Sequence, residues 1–253
     1  MTFVFTKRIQ VSRNSIFYSL IKTNDNQILG FARRHYKPER FIKKVVLNDN
    51  LDIIEDTNTS FRGEDPRCFT HKNKIYVLDN FCHDMYLIDY EEMKHTRINI
   101  DGKNISFIDH QDNLYFIHYM KPFQMYYLDV NTGSCTRVAT GNNQTNNNDE
   151  YRGGTPGYKV PGKENQYYGY GHRTYIPNGI MTHDVFKWVV TFPPGEPPLI
   201  EYFDIEQPPN SKHICDPTSV IEINDKRYLI TAETDEPWFC EQDYITNVYE
   251  IIE

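Results

Sequence analysis

Five times along this chain an extended apolar segment runs into a polar turn rich in Asn, Asp or Lys, then into a second extended segment rich in Tyr, Ile and Leu. The phrases are Tyr18 to Ala32 around Asn24-Asp25-Asn26, Cys68 to Leu78 around Lys72-Asn73-Lys74, and Ile105 to Tyr119 around Gln111-Asp112-Asn113. Two more run from Gly157 to Tyr170 around Gly162-Lys163-Glu164-Asn165 and from Ser219 to Thr231 around Asn224-Asp225-Lys226. Apolar alternation flanking turn-forming residues predicts a β-hairpin in each case. Third strands are predicted at Asp84 to Asp89, Gln124 to Asp129 and Ile245 to Ile251. Multi-strand units recurring every ~40 to 50 residues are the pattern of propeller blades. The expected fold is all-β, a single five-bladed β-propeller spanning residues 1–253; a β-sandwich, also built from short strands, is the competing architecture. Thr2 to Val11 lacks a hairpin partner and is expected to add the outer strand of the last blade, closing the ring. Helical periodicity is absent, and the Pro193 to Pro198 and Pro208-Pro209 segments mark a loop excursion between the fourth and fifth blades.

Composition narrows the function classes. Aromatic residues, 19 Tyr and 15 Phe, suit half-buried strands. A net charge of -8, with basic residues grouped only in pairs such as Arg33-Arg34 and Lys43-Lys44, excludes a general nucleic-acid binder. The five cysteines are odd in number and lie at no metal-type spacing, so neither a disulfide framework nor a zinc motif is indicated. The first residues lack the order of a signal peptide and no apolar run approaches a membrane span, so the expected location is the cytoplasm. The polar stretch from Gly141 to Asp149 is expected to form a surface loop. Frequent Asn, Ile, Lys and Tyr suit an AT-rich genome such as that of a large virus or protist.

The densest chemistry lies in Arg62-Gly63-Glu64-Asp65-Pro66-Arg67-Cys68-Phe69. Two adjacent carboxylates sit between two guanidiniums just ahead of a strand, with Gly63 permitting a tight entry and Pro66 favouring extended backbone at Asp65. Arginine lowers a neighbouring carboxyl pKa and a second carboxylate raises it, which is how an acid is tuned for proton transfer. When the blades are aligned, other polar groups gather at the same end of the channel. The first hairpin ends in Arg33-Arg34-His35, and the third exits at His118-Tyr119-Met120-Lys121. The fourth opens with Arg152-Gly153-Gly154-Thr155 and exits at Gly171-His172-Arg173-Thr174-Tyr175. The fifth opens with Asp216-Pro217-Thr218-Ser219 and exits at Glu233-Thr234-Asp235. Carboxylates among Arg, Lys and His at a funnel mouth suit a sugar and an anionic phosphate. Gly153-Gly154 is too short for a nucleotide-phosphate cradle, and Tyr167, Tyr168 and Tyr170 read as blade core.

Glu64-Asp65-Pro66-Arg67 after a glycine, the Arg-rich exit of the first hairpin, the lysine after the third, Gly-Gly-Thr-Pro opening the fourth blade, and His172 resemble the five-bladed β-mannoside phosphorylases and hydrolases. Related inverting mannosyltransferases share the pattern. The resemblance implies Asp65 as catalytic acid or base, with Arg34, Arg67, Lys121, His172 and Arg173 facing phosphate. The third-blade motif is reduced here to Met120-Lys121-Pro122-Phe123. Arg33, Glu64, Arg152, Thr155, Tyr175, Asp216, Glu233 and Asp235 complete the candidate substrate shell. The expected activity is inverting glycosyl transfer from a nucleotide-sugar donor or sugar phosphate to a glycan acceptor. A glycoside phosphorylase or hydrolase and a noncatalytic carbohydrate-binding propeller are the alternatives. No cofactor is expected, and no compact Asp-X-Asp pair is present to hold a metal.

Overall fold

The computed structural model describes residues 1–10, 15–36, 39–81, 83–141, 149–236 and 244–252; Cys82, Cys240 and most of the Asn-rich stretch fall outside them. The chain begins with β1 (Thr2–Ile9), and the first blade follows as β2 (Ser15–Lys22), β3 (Ile28–Tyr36), β4 (Glu39–Leu47) and β5 (Ile53–Arg62), hydrogen-bonded in that order. The second is β6 (Glu64–His71), β7 (Lys74–Phe81), β8 (Asp84–Asp89) and β9 (Lys94–Arg97). The third is β10 (Ser106–His110), β11 (Asn113–Tyr119), β12 (Gln124–Leu128) and β13 (Cys135–Thr140). In the fourth, β14 (Glu150–Arg152) and β15 (Tyr158–Lys159) share the inner edge of β16 (Gln166–Tyr175), followed by β17 (Thr182–Thr191) and β18 (Leu199–Asp204). The fifth is β19 (Ile214–Ile223), β20 (Lys226–Thr234) and β21 (Ile245–Ile252), completed by β1, which pairs antiparallel with β21 from Thr2–Ile252 to Ile9–Thr246. The expected ring closure is therefore present, and the sandwich alternative is excluded.

Local turn chemistry explains the hairpins. Lys72 and Asn73, Gln111 and Asp112, and Asn224 and Asp225 all have positive φ, between 50° and 62°. Each pair forms the two-residue loop of its hairpin, a conformation that matches strand twist and favours Asn and Asp.

The core is divided among the blade interfaces. Phe31, Ile42 and Phe61 of the first blade pack on Cys68, Val77 and Ile88 of the second. Phe69 and Leu87 meet Phe107 and Phe116 between the second and third. Met125 and Phe123 meet Trp188 and Phe186 between the third and fourth, and Tyr170 meets Leu229 and Tyr249 between the fourth and fifth. Ile230 and Val248 close the circle against Tyr18 and Val45. Each blade thus buries both faces, the solution that radial stacking offers to sheets with two apolar sides.

The inner strands approach closely and are laced together by hydroxyls. Cys68 N–H donates to Ser19 Oγ at 3.0 Å, Leu20 N–H to Ser219 Oγ at 2.9 Å, and Thr218 Oγ1 to Tyr18 O at 2.6 Å. Among the described residues, helical structure is confined to a single 3-10 turn at Pro177–Gly179. No described helix is long and apolar enough to cross a membrane, and Cys68, Cys135 and Cys215 are free thiols.

Candidate active site

β6 begins at one mouth of the channel, and its first residues do not follow a regular ladder. The register shifts between Glu64 and Arg67, and Asp65 has φ of 49°. This corrects the extended backbone expected ahead of Pro66: the bulge requires a left-handed residue there. Such a conformation in a non-glycine costs roughly 1–3 kcal/mol and persists where the surroundings over-determine it. Gly63 is equally constrained, since a Cβ on it would lie 1.3 Å from Asp79 Oδ1.

The bulge turns the acidic pair toward a cationic cluster. Arg33 Nη1 lies 3.0 Å from Asp65 Oδ1 and 3.5 Å from Glu64 Oε2. Arg40 also pairs with Glu64, as does Lys103 at 3.3 Å. Burial pushes the Glu64 carboxyl up, but Lys103, Arg40 and Arg33 outweigh it and hold the group below its ordinary range. Arg67 is almost fully buried, donates to Pro66 O at 3.1 Å, and lies within electrostatic reach of Asp65 and Asp216. The guanidiniums of Arg33 and Arg67 both stand over the ring of Phe17, at 5.2 and 6.0 Å.

Across from the bulge, β19 supplies Asp216, whose Oδ1 accepts from His183 Nδ1 at 2.6 Å and lies 3.4 Å from His172 Nδ1. The two imidazoles stack at 4.6 Å. Burial drives the His172 pKa down to about 3, so its ring is neutral. Burial opposes ionisation of Asp216, yet His183, through its hydrogen bond, and the Arg67 guanidinium hold its pKa low. His183 reaches this place because β17 and β19 meet in a parallel bridge, His183 with Ile214, that joins the fourth and fifth blades.

Thus Arg33, Glu64, Asp65, Arg67, His172 and Asp216 are brought together, whereas other expected members are not. Lys121 is set by the buried Met120 and Phe123 and stands 3.7 Å over the Tyr151 ring. It shares an adjoining cleft of about 690 Å³ with Lys103, His118 and Arg152. Arg173 pairs with Asp184 at 3.1 Å, and Tyr175 donates to the same carboxylate at 2.8 Å. Arg34 donates to Asn58 Oδ1 at 3.0 Å across the first blade. Asp235 pairs with Lys212 and accepts from His213 N–H. Thr155 and Glu233 are hydrogen-bonded into the surrounding strands. The Thr155 hydroxyl donates to Pro156 O and accepts from Tyr170 N–H. Glu233, fully buried, accepts from Thr231, Tyr249, Asn247 and the Lys212 backbone.

Asp79, at the polar exit of the second hairpin, was not carried into the candidate shell, and His183, Lys103 and Arg40 were left out altogether. Asp79 is 1% exposed. Burial foremost, with the charges of Glu64 and Asp65 and against a hydrogen bond from the Glu64 backbone, pushes its carboxyl up to about 8. Its place at the exit of the second hairpin was the available signal; the others depend on contacts between blades.

No family model and no curated protein matches the chain. Solved structures do. A mannose phosphorylase from Leishmania mexicana, in complex with a phosphate ion, superposes with a TM-score of 0.65 at 9% identity, covering 97% of this chain and 88% of that one. A GH43_1 enzyme from Xanthomonas citri gives 0.64 at 9% identity, with 98% and 90% covered. An α-L-arabinofuranosidase from Lactobacillus brevis gives 0.66 at 10% identity, with 95% and 91% covered. At such identities the likeness concerns architecture, and the chain shares the five-bladed propeller fold of these glycoside-processing proteins.

Proposed function

We propose that the protein is a carbohydrate-active enzyme that cleaves β-mannoside-like glycans in a single inverting displacement, with phosphate as nucleophile and Asp65 as proton donor. The observation that carries this reading is the presentation of Asp65 on a left-handed bulge, 3.0 Å from Arg33, with the buried Arg67 beside it. In the proposed step a phosphate oxygen attacks the anomeric carbon from the face opposite the leaving glycan, and the C1–O bond breaks. Asp65 delivers a proton to the departing oxygen, directly or through a sugar hydroxyl. The products are an α-sugar 1-phosphate and a glycan shorter by one unit. Arg33 and Arg67 supply charge-assisted hydrogen bonds for the phosphate oxygens.

This reading replaces nucleotide-sugar transfer as the favoured chemistry. Support comes from the phosphate-bound mannose phosphorylase and the glycosidases among the structural neighbours. The test is incubation with β-mannooligosaccharides, with and without inorganic phosphate, followed by proton and phosphorus NMR. Phosphate-dependent release of an α-sugar 1-phosphate is expected. Equal cleavage without phosphate would make the enzyme a hydrolase, and turnover only with a nucleotide sugar would restore the transferase reading.

A further inference from the structure

The cluster of His172, His183 and Asp216 contains a feature that sugar and phosphate binding leave unexplained. His172 is 2% exposed, and neither of its ring nitrogens has a hydrogen-bond partner among the described residues. A neutral imidazole carries one N–H donor and one lone pair, and burying such groups unpaired is unfavourable because each has lost its hydrogen bond to water. Asp216 Oδ1, 3.4 Å from His172 Nδ1, is already engaged by His183 Nδ1 at 2.6 Å. The Nδ1 atoms of both rings thus lie beside the same carboxylate oxygen.

We propose that His172, His183 and Asp216 form a binding site for one divalent transition ion of borderline softness, with Zn2+ as the representative case. Two imidazole nitrogens and a carboxylate oxygen are a donor set that zinc takes with its fourth position open. The three ligand atoms lie within 4.8 Å of one another. Metal–ligand bonds near 2.0–2.2 Å in a tetrahedron place ligand atoms about 3.3 Å apart. The 3.4 Å between His172 Nδ1 and Asp216 Oδ1 matches this spacing, while the 2.6 Å contact of His183 opens by several tenths of an ångström once the ion replaces its proton. Arg67, near Asp216, opposes a cation, and Asp65 on the same guanidinium offsets it. Of the three side chains His183 is the most exposed, at 13%, and marks the way in. The ion gives a partner to His172 Nδ1, which makes no hydrogen bond among the described residues.

The experiment uses the full chain stripped of metal by chelator dialysis and titrated with ZnCl2 in a calorimeter, without substrate. One Zn2+ per chain is expected, with a rise in Tm because the ion binds only the folded arrangement. His183→Gln, His172→Gln and Asp216→Asn should each weaken binding at least about tenfold, or about 1.4 kcal/mol. His118→Gln, in the neighbouring cleft, should bind as the wild type does. Co2+ loaded into the unmutated chain gives a reading independent of whether the variants fold: intense visible bands of a low-coordinate nitrogen and oxygen site are expected. No saturable Zn2+ binding, the weak octahedral spectrum of Co2+, or equal affinity in the cluster variants and the wild type would each overturn the site. Because no glycan or phosphate enters these measurements, their failure leaves the proposed phosphorolysis standing, and the reverse also holds.

Discussion

The carboxyl of Asp79 occupies the space that a side chain at Gly63 would need, with Oδ1 1.3 Å from where a Cβ would stand. Asp79 is buried behind the bulge that presents Glu64 and Asp65, so Gly63 keeps room for the acid beneath the candidate catalytic pair. Gly63→Ala should cost at least about 1–3 kcal/mol, as overpacking does. Urea unfolding should show the loss, and Gly63→Ala with Asp79→Ser should recover part of it.

Asp65→Asn keeps the shape of the side chain and removes its proton transfer. Turnover of a β-mannoside with phosphate should fall by roughly a hundredfold or more, the usual worth of a general acid. Glu64→Gln should be milder, because Glu64 is occupied by Arg33, Arg40 and Lys103. Full activity in Asp65→Asn would remove Asp65 from the reaction.

Arg67→Lys retains a charge but loses the fork that grips two oxygens at once. The KM for phosphate should rise about tenfold or more, while the KM for the glycan changes little. Steady-state kinetics with each substrate varied separately distinguishes this from a general loss of fold.

Asp79 links stability to pH. Its folded pKa, pushed up to about 8 chiefly by burial, stands above the value near ~3.9 of an unfolded aspartate. The folded state therefore binds the proton more tightly. The stabilisation is fully present below about pH 4 and is lost as pH rises through about 8. Asp79→Asn cannot titrate, so its stability relative to the wild type should improve from about pH 4 to about pH 8 and level off above that in denaturant titrations. A constant difference would contradict the raised pKa.

Tyr249 donates to Glu233 at 2.8 Å within the fifth blade. Tyr249→Phe should lower stability by about 1–3 kcal/mol, the range for a lost hydrogen bond or an acceptor left unsatisfied. The KM values should stay unchanged, since Glu233 is tied to four donors of the scaffold.

Local chemistry made the five hairpins legible from sequence alone. Turns such as Lys72-Asn73 and Asn224-Asp225 need only neighbouring residues to adopt positive φ, and the strands that lead into them, β6 and β19, are almost wholly buried. Glu64-Asp65-Pro66-Arg67 was visible for the same reason, as adjacent charges. Of the outer strands, β1 was read from its missing hairpin partner, whereas β5 and β9 were not. β9, with Thr96 half-buried and its other three residues exposed, and the polar β5 carry little apolar signal because they face solvent. The left-handed turn of Asp65 overrode the preference that Pro66 imposes, since the register shift in β6 required it. His183 and Asp216 lie 33 residues apart and meet through the single parallel bridge between two blades. Glu233, by contrast, was drawn into the wall by Tyr249 and Asn247 of the next strand. Turn chemistry and alternation act over a few residues and so are written in the chain, whereas ring closure decides which distant side chains share a low-dielectric space and thereby what each carboxylate and imidazole can do.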